Sequence, residues 1–162
     1  MTVEEEALAQ QRNRIPLYTN LDGEMVSHFS LHEFENSDGL VMVHTTVLLG
    51  LERVRRRLNE LHGGGITVHI TCSVRTEAEN EALADELGWV DSGGRVSRDS
   101  RHLPQYGGIA VDIVAMNGAE GERVLQDELG AVCREQFDWV KDDYEDGHVH
   151  ADNRDGGKKV RR

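Results

Sequence analysis

The stretch SRHLPQYGGIAVD, residues 100–112, places one carboxylate, Asp112, inside an apolar run. Read as a strand, the segment alternates. Ile109, Val111 and Ile113 share one face; Ala110, Asp112 and Val114 share the other. A carboxylate buried mid-strand without a partner is costly, so Asp112 calls for a cation, either a metal ion or a side chain such as Arg75. A second stretch, GHVHADN (147–153), sets His148, His150 and Asp152 at a spacing of two. If extended, it projects all three to one face. With His102 just upstream of Asp112, the chain holds the materials of a convergent His/Asp cluster. Two His and one carboxylate with an open fourth position form a recurring catalytic zinc arrangement, in which the metal acidifies a bound water. Eight histidines in 162 residues also make HxH pairs by chance. Spacing alone therefore leaves both a metal site and a plain Asp112–Arg75 pair standing.

The elements that must position these residues are legible from periodicity. From Thr45 to Leu61, Val47, Leu48, Leu51, Val54, Leu58 and Leu61 recur at helical spacing, and Gly63-Gly64-Gly65 ends the helix. ITVHITC alternates as a half-buried strand, with Ile66, Val68, Ile70 and Cys72 on one face. SVRTEAENEALADELG turns into a short helix ending at Gly88, and WVDSGGRVSRDS reads as loop. GGIAVDIVAM is a second strand. Val124, Leu125, Leu129 and Val132 predict a helix over 119–135, and FDWVKDDY and GHVHAD are extended. Ser30 with Glu33 fits a capping box over HFSLHEF. Residues 1–26 show weak periodicity and are expected to wrap the surface. The mixture is α+β in one domain.

Composition limits the partners. Apolar residues make up 38% and charged residues 30%, the balance of a soluble globular chain. A formal net charge of −12 opposes binding to nucleic acid or to an anionic membrane. No run approaches transmembrane length. Cys72 and Cys133 lie far apart and outside CxxC spacing. Both are expected to pack in the core, with no disulfide framework and no cysteine zinc site. His28, His32 and His44 carry no functional signal. The termini read as a start without a signal peptide and a flexible basic tail, GGKKVRR.

Taken in order, S-x-H…G-x-A-x-D (Ser100, His102, Gly108, Ala110, Asp112) and H-x-H (His148, His150) resemble the zinc D-alanyl-D-alanine carboxypeptidases and related peptidoglycan peptidases, the group named for lysostaphin, D-Ala-D-Ala metallopeptidases and sonic hedgehog. HFSLHEF resembles the N-terminal segment of the small phage- and bacteria-encoded branch. SVRTEAEN, with Ser73, Arg75 and Asn80, resembles its S-x-R-S/T…N stretch. The resemblance covers roughly residues 27–154. It implies a hedgehog/DD-peptidase-like α+β domain there, a small, mostly antiparallel sheet flanked by helices, between an N-terminal extension (1–26) and the tail (155–162).

The same resemblance implies zinc as cofactor, with His102, Asp112 and His150 as ligands. Arg75 and Ser100 would bind substrate, Arg75 through its fork of donors to a carboxylate. His148 would polarise the scissile carbonyl or stabilise the oxyanion. The general base would be Glu145 or Asp146, with Glu145 preferred for its longer reach. Asp152 is expected to support the site or face solvent rather than ligate, and Trp89 and Trp139 to pack, with Trp139 close enough in sequence to the site to line a cleft. The implied partner is a peptidoglycan stem peptide, cut by a monomer acting as a D-Ala-D-Ala carboxypeptidase or an endolysin-type endopeptidase. The producing cell's cytoplasm or a virion is the expected location. The alternative is a non-catalytic zinc-binding structural or virion-associated module of the same fold. One departure stands out: LPQYG, five residues, separates His102 from Gly108 where the family usually has two. Its Pro and Gly allow the loop to bulge and still return His102; if it did not, His69 or His62 would be distant substitutes.

Overall fold

A computed structural model describes residues 2–5, 14–19 and 23–161. Its elements run β1 (Arg14–Thr19), β2 (Gly23–Ser30), α1 (Thr45–His62), β3 (Ile66–Cys72), α2 (Glu77–Leu87), β4 (Ala110–Asn117), β5 (Glu122–Arg123), α3 (Gln126–Arg134), β6 (Trp139–Lys141) and β7 (Val149–Asp152). Strands β1 and β2 form a separate hairpin. The main sheet has the order β3-β4-β7-β6, with β5 paired to β4, and all its pairings are antiparallel. The architecture is α+β, as composition and periodicity predict. No helix among the described residues is long and apolar enough to cross a membrane.

Helix α1 buries the stripe read from its sequence: Val47, Leu48, Leu51, Val54 and Leu58. Gly63, at φ 74°, closes the helix in the left-handed region that a Cβ disfavours. The stripe packs on one face of the sheet. Val111, Ile113, Ala115, Val149 and Ala151 join it with Leu129, Val132 and Phe137 in a single core. Phe137 sits so close to Gly50 that a Cβ there would lie 2.8 Å from its ring, so the helix reaches the core only because position 50 is bare. The face of β4 that carries Ala110, Asp112 and Val114 points the other way, toward the site.

Two expectations change. The helix over 119–135 begins only at Gln126. Asn117 Oδ1 accepts from Ala119 N and Glu120 N, and Val124 N bonds Ala115 O at 2.9 Å, so residues 117–124 turn back onto β4. Leu125, assigned to the helix face, is 74% exposed. Sheet pairing has overridden helical spacing. The tail read as flexible lies against the body: Val160 is buried, Gly157 N bonds Asp138 Oδ2 at 2.9 Å, and Lys159 Nζ reaches Arg134 O and Phe137 O. The surface wrapping expected of residues 1–26 falls partly outside the described residues. Within them the chain forms β1 and the start of β2.

Candidate metal centre

The site begins as a row of residues on adjacent strands. In the β4–β7 pairing Asp112 stands opposite His150. In the β3–β4 pairing Ile70 stands opposite Ile113, but the register then shifts and Cys72 stands opposite Asp112. The shift is a β-bulge at Thr71. Without it, strict alternation would keep Cys72 on the core face with Ile66, Val68 and Ile70; one extra residue turns it to the face of Asp112. Cys72, Asp112 and His150 therefore line up across three strands.

His102 reaches this row from the loop before β4. Its Nδ1 donates to Ser73 O at 2.6 Å, its carbonyl accepts from Arg75 N at 2.8 Å, and its N–H donates to Ser100 Oγ at 3.3 Å. The segment after it folds as a 3-10 turn over Pro104–Tyr106, closed by Gly107. Gly108 follows at φ 78°, its carbonyl accepting from His44 N at 2.9 Å. A Cβ on Gly108 would lie 2.5 Å from Met42 O, so only glycine lets the chain pass there into β4. The turn brings the chain back, and His102 stands over Asp112.

Three atoms converge. His102 Nε2 and His150 Nδ1 each lie 3.0 Å from Asp112 Oδ1 and 3.2 Å from one another. The residues are only 4–8% exposed. Each ring's other nitrogen has an acceptor: Ser73 O for His102 and, at 2.8 Å, Asp152 Oδ2 for His150. Those acceptors hold protons on the outer nitrogens, which aims lone pairs from the inner ones at the carboxylate oxygen. Three such acceptors repel unless a cation sits between them. A tetrahedral zinc at its usual bond lengths needs donors about 3.3 Å apart, close to the separations found. Without metal a proton serves. Burial opposes charge on His102, but the carboxylate of Asp112 outweighs it and raises the imidazole to about 10. The same pairing, against the opposing effect of burial, holds Asp112 well below the usual carboxylate range.

The surroundings support this triangle. Asp152, fully buried, also accepts from Arg154 Nε and Nη2 at 2.9 and 2.7 Å. Burial works against its charge, yet Arg154 and His150 hold it at about 2. Arg154 lies over Trp139, and Trp139 meets His150 edge-on at 5.3 Å between ring centroids, so this tryptophan borders the site rather than only packing. Trp89 is covered by Arg98 and lines a cavity with Asn80 and Leu103. At the rim, His148 Nε2 is 3.7 Å from Asp112 Oδ2, its ring stacks on Tyr144 and its Nδ1 bonds Asp146. Burial, reinforced by the charge of Asp112, pushes the Tyr144 phenol up to about 12. Of the two acids proposed as base, Asp146 touches His148. Glu145 is 82% exposed and pairs with Arg95 at 3.1 Å.

Arg75 does not neutralise Asp112, nor does it pair with Glu77 or Glu79. Its Nη1 donates to the buried Asn80 Oδ1 at 3.0 Å and its Nη2 approaches Cys72 Sγ at 3.6 Å. It makes no ion pair with any described residue. Ser100 acts on the backbone of His102. His62 and His69 lie elsewhere, bonded to Glu128 and Thr67.

Cys72 is the residue that sequence reasoning missed. Cys133 does pack in the core, and burial raises its thiol. Cys72 instead sits 3.9 Å from His102 Nδ1. Burial resists ionisation there, but His102 and Arg75 draw the thiol below its ordinary value. Cys72, His102 and Asp112 offer ligand atoms within 4.8 Å of one another and could hold a metal ion; the expectation that Cys72 packs in the core is corrected, because it stands beside Asp112 instead. A bulge leaves no mark in an alternating segment, so the sequence carried no signal for it. No family model, curated protein or solved structure matches the chain.

Proposed function

We propose that the protein is a zinc-dependent peptidase of the hedgehog/DD-peptidase-like fold that hydrolyses amide bonds in peptidoglycan stem peptides. The observation that carries the reading is the buried His102–Asp112–His150 triangle, whose 3.0–3.2 Å edges suit one tetrahedral cation. Zinc bound there supplies Lewis acidity and an acidified water. The chain's own residues do the rest. His148, its Nδ1 held by Asp146, keeps Nε2 beside the triangle and is placed to take a proton from water and return it to the leaving amine. Arg75, steadied by Asn80 and without a carboxylate partner among the described residues, suits the carboxylate of a terminal D-residue. Asp152 and Arg154 keep the proton of His150 on its outer nitrogen.

Mass spectrometry of peptidoglycan fragments incubated with zinc-loaded protein, with a chelator control, tests this. The expected result is chelator-sensitive loss of one D-Ala or a cut within the stem. No cleavage, with one zinc bound per chain, would sink the reading. It would favour a non-catalytic metal-binding module, which the engagement of Glu145 by Arg95 already suits.

A further inference from the structure

We propose that the cavity beside Arg75 takes a terminal diamino acid, its carboxylate on Arg75 and its side-chain ammonium on Glu79. The inference rests on the peptidase reading and deepens it by naming the class of residue released.

The cavity measures about 420 Å³. It is lined by residues 71–75, where β3 runs out, by Glu79 and Leu83 of α2 and by residues 35–37. That volume lies within the roughly 300–1,000 Å³ of small-molecule sites. It adjoins the centre: Cys72 stands opposite Asp112, and Ser73 O accepts from His102 Nδ1 at 2.6 Å. Three charged side chains line it. Glu35 is bonded to His32 at 3.1 Å. Arg75 is held by Asn80 and Cys72. Glu79 is held by neutral donors only. Its Oε1 accepts from Asn36 Nδ2 at 2.7 Å and from the N–H and hydroxyl of Thr76 at 3.2 and 3.1 Å, while Oε2 accepts only from Ser37 Oγ, at 3.1 Å. Burial opposes the charge of Glu79, but the bonds from Thr76, Ser37 and Asn36 outweigh it and hold the carboxyl below the usual range. One cation and one anion thus border a single cavity, and neither meets an opposite charge among the described residues. A ligand that carries both charges satisfies both. A terminal alanine, with only a methyl group, would answer Arg75 alone. In an intact peptide the α-amine is tied up in the scissile amide, so the ammonium must come from a side chain. This favours a cut within the stem over loss of D-Ala.

Calorimetric titration of the full chain with Nα-acetyl-lysine and Nα-acetyl-norleucine, each in both hands, tests the cavity without catalysis. The two ligands share the carboxylate and differ at the amine. In one hand acetyl-lysine should bind at least about tenfold more tightly, the scale of one hydrogen-bonded charge pair. Glu79→Gln should close that gap. Glutamine also suits the third position of the capping box, so α2 keeps its start. Equal affinities in wild type, a gap that persists in Glu79→Gln, or binding of neither ligand would overturn the inference. A stem fragment ending in lysine, incubated with zinc-loaded protein, gives the second arm, with release of lysine expected. An affinity gap without release would support the cavity's assignment and sink the peptidase reading. Release of alanine, norleucine and lysine from matched fragments at equal rates would overturn the inference and leave the peptidase standing.

Discussion

On the proposed reading, His150→Ala should lose stoichiometric zinc and all peptide hydrolysis together while remaining folded. The fold survives because β7 is held by backbone pairing to β4 and β6, and Val149 and Ala151 stay in the core. The two carboxylates next to His150 keep partners, Asp112 through His102 and Asp152 through Arg154, so no buried charge is orphaned. Zinc retained after dialysis and a thermal melt check the two halves of the result. Full zinc retention would mean that Cys72, His102 and Asp112 suffice as the ligand set.

The same site would make metal binding pH-dependent with a definite sign. In the metal-free chain His102 is raised from 6.5 to about 10, burial being outweighed by Asp112. At neutral pH it must therefore shed a proton before it can ligate. Zinc binding should release that proton to buffer, and affinity should fall as pH is lowered; calorimetry in buffers of different ionisation enthalpy counts it. Stability of the metal-free fold runs the other way. A raised imidazole contributes fully below 6.5 and fades as pH climbs through about 10.

If the chain is the proposed zinc peptidase, Asp146→Asn should retain zinc and lower kcat by about 10²–10⁴-fold, the range a displaced general base costs. Asp146 is a positioning residue: it bonds the His148 Nδ1 and backbone N–H, while Nε2 faces Asp112. Burial of Asp146 is slight, and His148 holds its carboxyl below the ordinary range, so it stays anionic where the imidazole must gain charge. The acid limb of the pH–rate profile should move in Asp146→Asn, which a purely structural contact would not cause. Glu145→Gln should leave the rate little changed, because that carboxylate faces Arg95 in solvent. A large loss in Glu145→Gln with Asp146→Asn near wild type would return the base to Glu145.

Much of the framework was legible because periodicity and burial are the same fact seen twice. The α1 stripe, the ITVHITC strand, the Ser30/Glu33 cap and the buried face of Asp112 all follow from apolar spacing, which one hydrophobic face enforces. The helix start at Gln126 was not legible, since the pairing of Val124 with Ala115 is a contact between distant strands. Nor was the packed tail, whose charged residues hide one buried apolar anchor, Val160.

The sequence by itself determined which residues could form a centre: a carboxylate in an apolar strand, and two imidazoles and an acid at a spacing of two. Residue type and strand alternation are local properties, and they sufficed. Tertiary structure decided the membership. It brought His102 over Asp112 through a turn that depends on Gly108, and it drew Asp146 rather than Glu145 to His148. It also turned Cys72 into the site with a one-residue slip in strand register. Register and loop return are set by pairing between segments far apart in the chain, so no local pattern records them.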